Sequence, residues 1–360
     1  MLSGMSIIAL LALATFSQVA PVLATYPAEC TEENIQVRRE WSSLALEDRK
    51  AYIDAVQCLM DKPSQLDPTV YPGAKSRHAD FIATHINYTF TIHLDAIFLP
   101  WHRGYVRLYE KALQEECGFN GTQPYWDWPA YTDKPLREST LFDGSPYSLG
   151  SDGVFTNETL YTGPNQTYPS GTGGGCVFAG PFMNYTTPYR DFPQSLITDN
   201  VNGSLPSDSF DYSPGCFKRN LNDYALRVNN NYSSIAELLN QTTMGDFQNT
   251  LSSPEGASWF GPHGGGHFAM GGVGSDLFTS PTDPAFFLHH AQVDHVWWQW
   301  QSADLEARAF ALNGTMTLSN VPPSRDLTLG DYLTWGPLSD DKQVKDLMLP
   351  YEGPFCYRYE

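Results

Sequence analysis

Apolar residues recur at helical spacing in four separated stretches of the chain. Leu46, Ala51, Ile53, Val56, Leu59 and Met60 repeat with the period of an amphipathic helix over residues 46–60, and Pro63 ends it. A second helix opens at Pro100, where the missing N–H does no harm. It runs through Tyr105, Leu108, Tyr109 and Leu113 and stops at Gly118. Helical character returns over residues 222–239. It is strongest over residues 284–309, which carry Trp297, Trp298 and Trp300. Residues 119–220 are rich in Gly, Pro, Ser, Asn and Tyr and have little periodicity, which predicts long loops with short helical pieces. The chain is irregular again after Pro322. There is no repeat of fixed period and no flexible linker. The pattern therefore predicts a mainly α fold, a four-helix bundle with long irregular loops, in one domain over residues 25–360.

Composition changes this picture little. The chain has 360 residues, 41% of them hydrophobic, which is enough for a sizeable core. The 29 glycines and 26 prolines belong to the predicted loops. A net charge of −19 repels phosphate backbones and argues against a nucleic-acid partner. Residues 1–24 read as a secretory signal peptide, with an apolar run from Ile7 to Phe16 and a small-residue cleavage site at Val22-Leu23-Ala24. No other run reaches the roughly 18 apolar residues of a membrane span. The expected location is extracellular. The six cysteines (Cys30, Cys58, Cys117, Cys176, Cys216 and Cys356) then favour three disulfides. Helix-closing positions favour the pair Cys58–Cys117, and a tie between the termini favours Cys30–Cys356. Asn-X-Ser/Thr sequons at Asn87, Asn120, Asn157, Asn165, Asn184, Asn202, Asn231, Asn240 and Asn313 fit a secreted glycoprotein.

The candidate chemistry lies in six of the nine histidines. His85, His93 and His102 form one triplet, and His263, His267 and His290 a second. In each, a phenylalanine stands four residues before the last histidine: Phe98 before His102, and Phe286 before His290. On a helix that spacing places both rings on one face. Imidazole is the commonest metal ligand, and two all-histidine sets point to a pair of metals that change redox state. His85 and His93 are expected to arrive from loop. His263 and His267 share one helical face, and the glycines between them, Gly264, Gly265 and Gly266, would leave the metal open to ligand. Asp294, four residues after His290, is placed to orient that imidazole. His289 is read as supporting or packing beside the ligands, His295 as a helix-surface histidine, and His78 as lacking a partner.

These residues and their neighbours carry a resemblance. The chain resembles the type 3 copper polyphenol oxidase family, the tyrosinases and catechol oxidases, in its short secreted fungal form. The resemblance rests on Arg38-Arg39-Glu40-Trp41, Phe98-Leu99-Pro100-Trp101-His102-Arg103, Pro124-Tyr125-Trp126-Asp127-Trp128, Asp283-Pro284-Ala285-Phe286-Phe287-Leu288-His289-His290 and Tyr357-Arg358-Tyr359. It covers almost the whole chain after residue 24. It implies a bundle holding a dinuclear copper site, with CuA on His85, His93 and His102 and CuB on His263, His267 and His290. It also implies a phenolic substrate and O2, packing roles for Phe98 and Phe286, and a gating position for Leu277. The family's longer members carry a C-terminal plug. This chain stops one residue after the aromatic motif, so it is expected to be made without one.

Two departures matter. Relatives that crosslink a cysteine to the second CuA histidine have it where this chain has Thr91. Monophenol-hydroxylating relatives often have Asn or Asp after the first CuB histidine, with a nearby acid. Here the residues are Gly264 and, at best, Glu255. The resemblance therefore implies oxidation of o-diphenols to o-quinones. The alternatives are a tyrosinase with monophenol hydroxylase activity, an o-aminophenol oxidase, or a non-catalytic oxygen-binding protein. A zinc hydrolase is disfavoured because Gly264 stands where such helices carry a glutamate base.

Overall fold

The computed structural model describes residues 30–157, 160–163, 166–193, 196, 203–252 and 260–360. The expected signal peptide, the sequons at Asn165 and Asn202, and Glu255 lie outside the described residues. The fold is mainly helical. Its main helices are α1 (Leu46–Asp61), α2 (Arg77–Tyr88), α3 (Phe98–Cys117), α4 (Asp223–Asn229), α5 (Tyr232–Leu239), α6 (Met244–Ser252), α7 (Pro262–Met270), α8 (Ala285–Ser302) and the short α9 (Leu305–Arg308). The centre is built from α2, α3, α7 and α8. Helix α3 packs on α8 and α1, and α7 packs on α4, α6 and α8.

Helix α1 matches its apolar period, starting on Glu47 and Asp48, and Lys62 closes it just before Pro63. Helix α3 begins earlier than Pro100 suggested. The Asp95 carboxylate accepts the N–H groups of Ile97 and Phe98 at 2.9 and 3.0 Å, so these orphan donors are satisfied. It ends as expected at Gly118, whose φ of +69° only glycine adopts without strain. The stretch 222–239 is two helices, with Asn222 and Asn231 as their N-caps.

Helix α2 is a correction to the sequence reading, which left His85 in loop. Ser76 caps α2 by accepting from Ala79 N–H, and every residue from Arg77 to Ile86 is buried. Its apolar Ala79, Ile82, Ala83 and Ile86 recur at helical spacing, but His78, Asp80, Thr84 and His85 are buried as well, so its polar positions do not mark a solvent face. Short strand pairs are a second correction. Gly153–Phe155 pairs with Gly174–Val177 inside the expected loop region. Gln36–Arg38 runs parallel to Tyr357–Tyr359. The disulfides are Cys30–Cys356, Cys58–Cys117 and Cys176–Cys216. Among the described residues, no helix is long and apolar enough to cross a membrane.

A buried ionic cluster joins the strand pair to α3 and α8. Arg38 is fully buried, with Nη2 donating to Glu110 Oε2 at 2.7 Å and Nη1 to Tyr359 Oη at 3.1 Å. Arg103 donates to Asp294 and lies over Trp297 at 3.8 Å. Asp294 also accepts from the Tyr357 and Tyr359 hydroxyls. Burial pushes the Glu110 carboxyl up, but Arg38 and Arg107 outweigh it and hold the pKa at about 2. Asp294→Ala would leave buried Arg103 without its anionic partner, while Arg38 would keep Glu110. Urea denaturation should then show a loss of about 3–5 kcal/mol. Glu110 is held below its unfolded pKa, so its stabilisation is present above pH about 4.5 and lost as pH falls toward 2. Stability measured across that window should fall less steeply for Glu110→Gln than for the parent.

Candidate metal centre

His85 projects from α2, His93 follows the short turn after it, and His102 lies in the first turns of α3. Their ring centroids form a near-equilateral triangle with edges of 5.0, 5.2 and 5.7 Å. In each ring Nδ1 is bound to a backbone carbonyl: His85 to Phe278 O, His93 to Thr89 O and His102 to Phe98 O, all at 2.9 Å. A carbonyl only accepts, so Nδ1 carries the proton and Nε2 keeps a lone pair. The Nε2 atoms of His85 and His102 are buried with no hydrogen-bond partner.

The second triangle has almost the same size, with edges of 4.8, 5.2 and 5.3 Å between His263, His267 and His290. His263 and His267 stand one turn apart on α7, as their spacing predicts. His267 Nδ1 donates to Gly274 O at 2.8 Å, so its Nε2 is also a lone pair. That Nε2 lies 3.2 Å from both His263 Nε2 and His290 Nε2.

The two triangles meet where His102 stacks on His290, with centroids 4.4 Å apart and planes 15° from parallel. The phenylalanines follow the same approximate two-fold relation. Phe98 lies 4.8 Å from His102 and 4.5 Å from His263, the first histidine of the other triangle. Phe286 lies 4.2 Å from His290 and 5.3 Å from His85. Both rings sit between the triads.

Burial lowers the pKa of every one of these imidazoles, and neighbouring rings add to the effect in most. His93 falls to about 3 and His267 to about 4. Four of these neutral rings turn an Nε2 lone pair away from their carbonyl partners, and two of those nitrogens, on His85 and His102, are buried with nothing to bond. A shared cation in each triangle would give such nitrogens a partner, so the residues present fit a pair of metal ions.

The glycines of α7 do something other than open the site. A Cβ on Gly265 would stand 2.3 Å from Asn229 Cβ and Asn230 Oδ1, and one on Gly266 2.3 Å from His289 Cε1. These two glycines let α7 pack closely, and a Cβ on half-buried Gly264 would likewise stand 2.8 Å from Phe260 Cβ.

Other expectations also change. His289 lies within ligand distance of the second triangle. However, its Nδ1 accepts from Trp128 Nε1–H at 3.1 Å, so its proton sits on Nε2. It is a wall of the site, held by the indole of Trp128, a residue of the quoted motif to which the sequence assigned no such contact. Asp294 does not orient His290. Its oxygens are taken by Arg103, Arg38, Tyr357 and Tyr359, and His290 Nδ1 is buried without a partner. Cationic donors outcompete a neutral ring for a buried carboxylate. His78 does have a partner: it is fully buried, with Nδ1 3.1 Å from Tyr109 Oη. His295 is half-buried rather than on the surface, stacked on Tyr359 at 4.5 Å and edge-on to Tyr125. Leu277 is half-buried beside Phe278, whose carbonyl holds His85.

Residues 75–303 match the family model for the common central domain of tyrosinase. Tyrosinase P of Aspergillus terreus is 42% identical over 330 residues, spanning 90% of this chain and 91% of that protein. An N-acetyl-6-hydroxytryptophan oxidase of Emericella nidulans is 38% identical over 346 residues, spanning 92% and 94%. A mutant form of the polyphenol oxidase from Thermothelomyces thermophila superposes with a TM-score of 0.83 at 37% identity, over 92% of this chain and 90% of that one. Two histidine triangles on a four-helix centre, matched over nearly the full length of such relatives, place the chain in the tyrosinase family of type 3 copper oxidases.

Proposed function

We propose that this tyrosinase-family oxidase is a secreted catechol oxidase that converts o-diphenols to o-quinones with O2. In this reading His85, His93 and His102 hold CuA, and His263, His267 and His290 hold CuB. The observation that supports it is the pair of matched histidine triangles that meet where His102 stacks on His290. The copper pair supplies two-electron redox chemistry: two diphenols give the four electrons and four protons that turn one O2 into two waters.

The protein contributes geometry. Backbone carbonyls at Nδ1 hold four of the six rings in the ligating tautomer before any metal arrives. Phe98 and Phe286 keep water from the space between the triads. His267 and Gly264 share the partly exposed face of α7, where an aromatic ring can lie against imidazole. Leu277 gates that approach in this reading.

Preference for diphenols follows from proton handling. A monophenol has a pKa near ~10 and must lose its proton before hydroxylation. Gly264 has no side chain to accept it.

Elemental analysis of copper-supplemented protein should find two coppers per chain. His290→Ala should lose about half of that copper and all turnover, whereas His295→Ala should keep both. Equal losses would mean the third CuB ligand is misassigned. Initial rates on 4-methylcatechol should exceed those on 4-methylphenol by at least about tenfold, with a lag on the monophenol. Matching rates without a lag would require a base from elsewhere in the site.

A further inference from the structure

His85 differs from the other histidines of its triangle in where its carbonyl comes from. His93 and His102 are each bonded through Nδ1 to a carbonyl four residues earlier, at Thr89 and Phe98. His85 Nδ1 is bonded to Phe278 O at 2.9 Å, 193 residues away, in the segment between α7 and α8. No local helical turn aims that carbonyl, so something else must.

Asp276 supplies the aim. Its Oδ1 accepts the N–H groups of Phe278 at 2.8 Å and Thr279 at 3.1 Å. The Phe278 carbonyl and the Thr279 N–H belong to one planar peptide. Holding the N–H on the carboxylate therefore sets the direction in which the carbonyl points toward His85. One oxygen is all that a turn of this kind requires. The other oxygen reaches 84 residues away, where Oδ2 accepts from Phe192 N–H at 2.6 Å. Phe192 then returns to the same place. Its ring stacks on Phe278 with centroids 4.8 Å apart and planes 24° from parallel, and Phe90 meets Phe278 edge-on at 5.4 Å. Asp276, Phe192 and Phe278 form a closed circuit of two carboxylate–amide bonds and one ring stack, with the Phe278 side chain buried in it.

We propose that Asp276 is a positioning residue for His85: with Phe192 it clamps the Phe278–Thr279 peptide, and that peptide fixes the tautomer and direction of the ring. The consequence for metal binding rests on the reading of His85 as a CuA ligand. A ring free to exchange its proton between nitrogens presents a lone pair to the centre only part of the time, and its affinity for metal falls accordingly.

Ring 15N spectra of copper-free protein labelled at histidine test the clamp without any turnover. In the parent, His85, His93 and His102 should all show the proton on Nδ1. Asp276→Ala should convert His85 to a mixture of tautomers with fast exchange of the ring proton, and leave His93 and His102 unchanged. Asp276→Asn keeps the shape and one accepting oxygen, and should give a smaller change at His85 alone. An unmoved His85 in either variant, or an equal change in all three rings, would overturn the inference. In loaded protein, Asp276→Ala should lose one of two coppers to a competing chelator at about tenfold lower chelator concentration than the parent. A changed His85 tautomer with both coppers retained as in the parent would support the clamp and count instead against His85 as a copper ligand.

Discussion

A neutral imidazole has one lone pair, and its direction depends on which ring nitrogen holds the proton. In this fold that choice is made by backbone carbonyls. Phe278, Thr89, Phe98 and Gly274 each take the Nδ1 proton of a different histidine. Two of these carbonyls come from helical turns four residues before the ring, at Thr89 and Phe98. The other two come from the segment that joins α7 to α8. The Phe278 carbonyl crosses from that segment to His85, so the expected CuA ligand is oriented by the chain that leads to CuB. Neither triad is set by its own helices alone.

The remainder of the fold keeps these rings dry and still. Burial holds the imidazoles neutral well below the usual histidine range, which leaves their nitrogens available to metal at neutral pH. Close packing demands small residues at definite places, and Gly265 and Gly266 meet that demand against Asn229, Asn230 and His289. Behind the metal centre, Arg38, Arg103, Glu110 and Asp294 neutralise one another without water and tie α3 to α8. Because those two helices carry His102 and His290, the cluster fixes the distance at which the triads face each other.

Much of this was legible from local pattern. The amphipathic period of α1, the stop at Gly118 and the long helix from residue 285 all follow from rules that act within a few residues. The six histidines stood out because each triplet repeats one phenylalanine spacing, which is a helical geometry written in sequence. Two of the three disulfides were also accessible, since Cys58 and Cys117 each stand near a predicted helix end. Helix α2 was not read from the sequence: its apolar positions keep a helical period, but His78, Asp80, Thr84 and His85 on the polar positions are buried too and mark no solvent face.

Sequence by itself determined the histidines that gather at the centre, their grouping into triplets and the helices that carry most of them, because these depend on short-range periodicity. Tertiary structure decided which groups around the histidines do what. Asp294 has the right spacing for His290, yet two arginines and two tyrosines from distant segments claim its oxygens. His289 adjoins His290 and lies within reach of the same centre, yet an indole 161 residues away sets its proton on the outer nitrogen. The glycines of α7 read as an opening and serve as contact surfaces. Each of these outcomes is a competition between partners far apart in the chain. Such competitions are settled by charge and distance in three dimensions, which spacing along the sequence does not encode.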